Sequence, residues 1–200
     1  PYLAKITSKK LLSGKQSNKE VFHYEISLGD SGIIYQPGDS LGIFPVNNNI
    51  LVRAIINRLQ INPTYIPKGY DLNIYELLEK KFEILTPTNR LIKFVNDNIN
   101  HKELNYSLDT KNINILMDFK FGKDVLDFMN LDESLKFDVL HFLTLLKPLQ
   151  HRAYSIASSN LIFKNSVHLT VSTQRWQRKT RDYRGAVSYT HLRAHETHND

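Results

Sequence analysis

Cysteine is absent from the 200 residues, which excludes a disulfide framework, a thiolate nucleophile and a cysteine-ligated zinc site. No apolar run approaches the roughly 20 residues of a membrane-spanning helix, so no membrane span is expected. The segment Pro1–Ile6 has no basic stretch leading into an apolar one, so no signal peptide is read there. There is no initiator methionine either, which leaves room for an upstream segment. The Gly-rich phosphate loops of nucleotide-binding folds are missing, and so is any internal repeat. What is present is ordinary for a soluble globular chain: 41% hydrophobic and 23% charged, long enough for one large or two small domains. The cysteine usage fits a cytoplasmic protein. A net charge of +6 can signal anionic partners such as nucleic acid, but the abundance of Asn, Lys and Ile makes an AT-rich coding sequence with no such partner the preferred reading.

The last residues stand apart. Val187-Ser-Tyr-Thr-His-Leu-Arg-Ala-His-Glu-Thr197 reads as the translation of a transposase sequencing adapter, so native sequence is expected to end at Ala186. His191, His195 and His198 sit beside Glu196, and the i, i+4 spacing of the first two could place both on one helix face as zinc ligands, but an adapter origin removes that reading, and no metal is expected.

Glu20–Leu28 alternates with period two, Phe22, Tyr24, Ile26 and Leu28 against His23, Glu25 and Ser27, which predicts a half-buried strand with His23 on its solvent face. Gly29-Asp-Ser-Gly32 supplies a turn. A second strand is expected at Ile33–Tyr35, ending at Pro37-Gly38, and another through Leu41, Ile43 and Phe44. Tyr2–Thr7 is a candidate first strand. After Asn47-Asn48-Asn49 the period lengthens. Ile50, Leu51, Ala54, Ile55 and Leu59 predict an amphipathic helix with an asparagine cap. Further helices are expected at Asn73–Lys81, from Thr88 onward, at Lys123–Met129 and over Asp132–Leu146, which Pro148 ends. Asn96–Asn114 reads as polar loop. Strand character returns at Ala153–Ala157 and Val167–Ser172. Strands, a helical block and strands again predict an α+β chain rather than alternating βαβ units.

The segment Lys147–Ser159 concentrates the chemistry. Arg152 and Tyr154 lie two apart and share one face of a strand, with Ser155 on the other. A guanidinium can hold a phosphate bidentately and an aromatic ring can stack on a flat heterocycle; a surface arginine and a core tyrosine have the same pattern.

Arg152-Ala-Tyr-Ser-Ile-Ala-Ser-Ser159 resembles the FAD-binding motif of the diflavin reductases, the family of sulfite reductase flavoprotein and cytochrome P450 reductase. Tyr35-Gln-Pro-Gly-Asp-Ser-Leu-Gly-Ile43 is similar to that family's Y-x-P-G-D-x-L strand and turn. His168-Leu-Thr-Val-Ser172, then Trp176, then Arg184-Gly-Ala186 make a third match in the same order. The resemblance runs through nearly all of residues 1–186. It implies an α+β fold, mainly β: an antiparallel FAD-binding β-barrel of the ferredoxin reductase type with an inserted all-helical connecting subdomain. The implied division is 1–46 and 148–186 for the barrel, 47–147 for the insert and 187–200 for the non-native tail.

By the same resemblance Arg152 would pair with the FAD pyrophosphate, Tyr154 would pack on the isoalloxazine, and Ser155 would hydrogen-bond near flavin N5 as the candidate catalytic residue. Ala153 belongs to that motif. Thr170, Val171 and Ser172 would line the adenosine side, Trp176 would offer a stacking ring, and Gly185 with Ala186 would open a phosphate-binding turn. The basic stretch Arg175–Arg184 is expected to be a solvated loop near the cofactor phosphates. The implied reaction passes electrons from NADPH through FAD to FMN and an acceptor haemoprotein. FMN would sit on a flavodoxin-like domain or separate protein, and the NADPH site is expected beyond these residues. A basic nucleic-acid-binding barrel and a cofactor-free interaction module are the alternative readings.

Overall fold

A computed structural model of the chain describes residues 2–109, 113–178 and 181–185. The elements run β1 (Lys5–Leu11), β2 (Glu20–Ser27), β3 (Ser40–Ile43), α1 (Asn49–Leu59), α2 (Ile74–Lys80), β4 (Phe82–Glu83) and α3 (Asn89–Asn98). They continue with α4 (Lys102–Asp109), α5 (Ile113–Lys120), α6 (Val125–Met129), α7 (Val139–Leu145), β5 (Lys147–Pro148), β6 (Arg152–Ser155), β7 (Ser166–Arg178) and β8 (Arg181–Gly185). The chain divides into two compact units, residues 1–46 with 150–200 and residues 47–149. It is an α+β protein.

The first unit is built on the alternation of β2. Tyr24 and Ile26 turn inward with Val167, Leu169 and Val171 of β7, so both strands contribute one apolar face to a shared core. Strands pair antiparallel in the order β1-β2-β7-β8, and β3 pairs with β6 in a separate two-stranded ladder. An antiparallel bridge between Ile156 and Leu169 links the two. No ladder closes into a barrel among the described residues. Ile33–Tyr35, expected as a strand, joins no ladder; its buried residue Tyr35 is anchored through its side chain. The first strand lies later than expected, at Lys5–Leu11. The stretch Arg175–Arg184, expected as a loop, contains the β7–β8 hairpin: Arg175 pairs with Arg184 and Arg178 with Arg181.

In the second unit α1, α2, α3, α6 and α7 each start where a polar side chain takes an orphan backbone N–H. Asn48 caps α1, Thr88 caps α3 and Asp138 caps α7, while Asn73 with Glu76 and Asp124 with Asp127 form capping boxes. The apolar stripes meet in one core, with Val52, Ile55, Ile74, Leu78, Leu91 and Phe128 shut off from solvent. Each such side chain contributes about 1.5–3 kcal/mol. Ile50, counted on the apolar face of α1, is 75% exposed, because at the first turn it lies outside the arc formed by Leu51, Val52, Ile55, Ile56 and Leu59.

Two expectations fail here, the first because a short apolar stripe is hidden by polar neighbours, the second because a turn interrupts the pattern. The polar stretch Asn96–Asn114 contains the end of α3 and all of α4, which buries Leu104 completely within a segment otherwise rich in polar residues. The single helix expected over Asp132–Leu146 is split. Asp132 accepts from the backbone and hydroxyl of Ser134 in a turn, and the helix begins only after Asp138. Arg58 holds that turn, donating from one Nη to the carbonyls of Met129, Asp132 and Leu135 at 2.9 Å each. The unit is not all-helical, since β4 and β5 form a two-residue antiparallel ladder.

Candidate functional site

Pro37-Gly38 makes the first part of the site. Gly38 has φ 99°, a conformation that glycine adopts without the penalty a Cβ brings. The turn is closed by Asp39 N–H donating to the Gln36 carbonyl at 3.0 Å, and Gln36 N–H donates back to the Asp39 carboxylate at 2.8 Å. The carbonyl of Asp39 then accepts from Ile156 N–H at 2.9 Å. Beyond it Ser40 faces Ser155, Leu41 faces Tyr154, Gly42 faces Ala153 and Ile43 faces Arg152. Two motifs far apart in sequence are therefore neighbouring strands.

The third motif joins through the Ile156–Leu169 bridge and through Ala157 N–H, which donates to the His168 carbonyl at 2.8 Å. Thr170, Val171 and Ser172 follow directly on β7, opposite His23, Phe22 and Val21. The loop between β6 and β7 is fastened from below. Tyr35 is buried, with its Oη 2.7 Å from Ser158 Oγ and 3.0 Å from the Ser166 carbonyl. Ser158 Oγ also accepts from His168 N–H at 3.0 Å. The assignment that satisfies all three contacts has Ser158 donating to Tyr35 and Tyr35 donating to Ser166.

Within the Arg152–Ser155 strand, Arg152 is half-buried, Ala153 and Ser155 are exposed, and Tyr154 is 7% exposed, in the core cluster with Tyr24 and Tyr35. The core-tyrosine reading thus holds for its ring. Its hydroxyl is buried and has no hydrogen-bond partner among the described residues. Burial pushes the Tyr154 phenol above its ordinary value of 10.0, and the Arg152 cation partly offsets that. An orphaned buried donor beside a guanidinium, with an exposed serine next along the strand, is a set that fits a flat heterocycle bearing an anionic chain. FAD is such a group.

The remaining residues divide. Thr170 and Ser172 are exposed, whereas the Val171 side chain is packed into the core, leaving its backbone as the part facing other groups. Trp176 lies on β7 opposite Tyr183, with its side chain outside the described part. Gly185 is the last residue of β8, opposite Gln174, and Ala186 lies outside the described residues, as do residues 187–200 with His191, His195 and His198.

Sequence reasoning missed two features. Tyr35 and Ser158 were legible only as motif letters, and nothing in the pattern pointed to their contact. His23, assigned to a solvent face, is half-buried, with its ring edge-on to His168 at 5.0 Å between centroids. Burial lowers the His168 pKa from its ordinary value; Glu25 opposes that shift and His23 reinforces it.

Comparison with known proteins places the chain in a family. The FAD binding domain family model matches residues 1–76 and 72–189. The chain belongs to that family. It is 32% identical over 179 residues to the sulfite reductase [NADPH] flavoprotein alpha-component of Zymomonas mobilis, covering 88% of this chain and 29% of the relative. It is 31% identical over 192 residues to the protein of that name from Bacillus subtilis, covering 94% and 32%. The chain thus spans about a third or less of the length of the curated relatives it matches.

Proposed function

We propose that this chain is the FAD-binding module of an NADPH-dependent diflavin reductase that serves a sulfite reductase haemoprotein or a similar haem acceptor such as a cytochrome P450. The observation that carries the reading is the convergence of the three motif strands. Arg152–Ser155 lies beside the Pro37–Gly38 turn and is bridged to the strand bearing Thr170–Ser172. The reading extends to this chain what the relatives' names state, a flavoprotein component of NADPH-dependent sulfite reduction.

Bound FAD supplies a ring that takes a hydride and gives up its electrons singly. The protein's part is position and electrostatics. Arg152 holds the pyrophosphate, its charge opposing the phosphate charge in a half-buried setting where screening is reduced. Tyr154 packs on the isoalloxazine and gives the cofactor its hydroxyl, which has no partner among the described residues. Ser155 donates at flavin N5, and Ala153, with no bulk beyond Cβ, lets the cofactor approach the strand. Thr170, the Val171 backbone and Ser172 take the adenosine side, Trp176 stacks, and Gly185 with Ala186 opens the phosphate turn.

In this reading residues 1–46 and 148–186 form the FAD-binding barrel of the ferredoxin reductase type, and 47–147 form the connecting insert. The FMN-binding flavodoxin-like partner and the NADPH site are placed outside the 200 residues. The setting is cytoplasmic, and nucleic acid is not a partner.

The test is a fluorescence-quenching titration of the purified chain with FAD and separately with FMN. Saturable binding of FAD in preference to FMN, weakened in Arg152→Ala, is the expected result. Equal affinity for FMN, or salt-dependent binding of single-stranded RNA with no flavin binding, overturns the proposal.

A further inference from the structure

On the face of the β2–β7 ladder opposite the core, three metal-ligating side chains meet. His23 and Glu25 are two apart on β2 and so share a face. His168 is directly across from Glu25 on β7 and diagonal to His23, whose own partner is Thr170. Their ligand atoms all lie within 4.8 Å of one another.

We infer that His23, Glu25 and His168 form a binding site for a divalent transition-metal ion of the zinc class. The donor set is two imidazoles and a carboxylate, which leaves a fourth, solvent-facing position for a water molecule. Glu25, with 39% of its side chain exposed, and His23, with 26%, form the mouth, and His168, nearly shut off from solvent, forms the floor.

The spacing favours an ion over a direct link between the side chains. His23 Nε2 and Glu25 Oε1 are 3.7 Å apart, too far for a hydrogen bond. In a tetrahedral zinc site with bonds near 2.0–2.2 Å, the ligand atoms sit roughly 3.3–3.6 Å from each other. The present separations, all within 4.8 Å, close to that range by inward rotation of the half-buried His23 and Glu25 side chains.

The floor is fixed in advance. The His168 backbone is held on both sides, its N–H by Ser158 Oγ at 3.0 Å and its carbonyl by Ala157 N–H at 2.8 Å. Phe163 covers the ring at 4.1 Å between centroids, and Ser166 Oγ lies 3.4 Å from Nε2, in place to orient it as an outer partner. Only the two mouth residues lose rotamer freedom when an ion binds, which favours affinity.

The test uses Zn2+ alone, added to the full chain by isothermal titration in a His191→Ala, His195→Ala, His198→Ala background so that the tail cannot bind it. Cofactor is not needed, so the result is independent of the flavin reading. The expected result is one saturable Zn2+ per chain, a melting temperature that rises with Zn2+, and visible d–d bands when Co2+ replaces it. His23→Ala and Glu25→Gln, both at the mouth, should each weaken binding by about tenfold or more and abolish the Zn2+-induced rise in melting temperature. Their circular dichroism should stay unchanged. His168→Ala removes a floor residue and is therefore read only alongside these two. No saturable binding in the parent, or binding that survives both mouth substitutions, overturns the site.

Discussion

The phenol of Tyr35 lies 2.7 Å from the hydroxyl of Ser158, 123 residues further along the chain, and that contact fastens the loop following the Arg152–Ser155 strand to the start of the Pro37–Gly38 turn. Tyr35→Phe keeps the ring and removes the hydroxyl, leaving Ser158 and the Ser166 carbonyl short of a partner. The expected loss is about 1–3 kcal/mol of unfolding free energy. Urea denaturation, with an unchanged m-value, measures it.

Tyr154 should behave in the opposite way. Its hydroxyl is partnerless among the described residues, so Tyr154→Phe should cost the cofactor-free protein well under about 1 kcal/mol. With FAD present the same change should weaken binding if, as proposed, that hydroxyl turns to the cofactor. Paired stability and FAD titrations of the two phenylalanine variants separate a structural tyrosine from a binding one.

The same phenol predicts a pH dependence. Its pKa is raised in the folded protein, by burial first, from an ordinary 10.0. A raised pKa means that the folded state favours the protonated form. The contribution is full below the unfolded value and is lost as pH rises through the folded one. Tyr154→Phe should therefore flatten the decline in stability above about pH 10 that the parent shows, as followed by urea midpoints across the alkaline range.

Arg152→Ala should weaken FAD binding by about 1.5–3 kcal/mol, the range of a hydrogen bond to a charged group. The β3–β6 ladder is made by the backbone, so the circular dichroism of the variant should match the parent. Loss of the fold together with binding would mean that Arg152 is a structural residue first.

In the helical unit, Arg58→Met keeps much of the stem and removes the donor to three carbonyls. The Asp132–Leu135 turn then loses its anchor, and a destabilisation of about 2–3 kcal/mol is expected by thermal or urea unfolding. Gly38→Ala meets no neighbour within 4 Å, so its expected cost of about 1–3 kcal/mol arises from forcing φ 99° on a residue with a Cβ.

Local periodicity in the sequence determined β2, whose alternation needs only one buried face, and the starts of α1, α2 and α3, where Asn48, Asn73 and Thr88 cap the following turn. The motif letters Arg152, Tyr154, Ser155 and Pro37-Gly38 were equally legible, because a turn or a binding strand demands particular residue types at short spacing. Tertiary structure alone decided the rest. Whether Ile33–Tyr35 joins a ladder depends on a partner strand, and Tyr35 was instead anchored by Ser158. The split at Asp132–Asp138 depends on Arg58, an arginine whose three acceptors lie more than 70 residues away. His23 became half-buried because His168 arrived opposite its strand. Short-range pattern records what a residue prefers, while contacts between distant segments are chosen by the packing of the whole unit, which no local window contains.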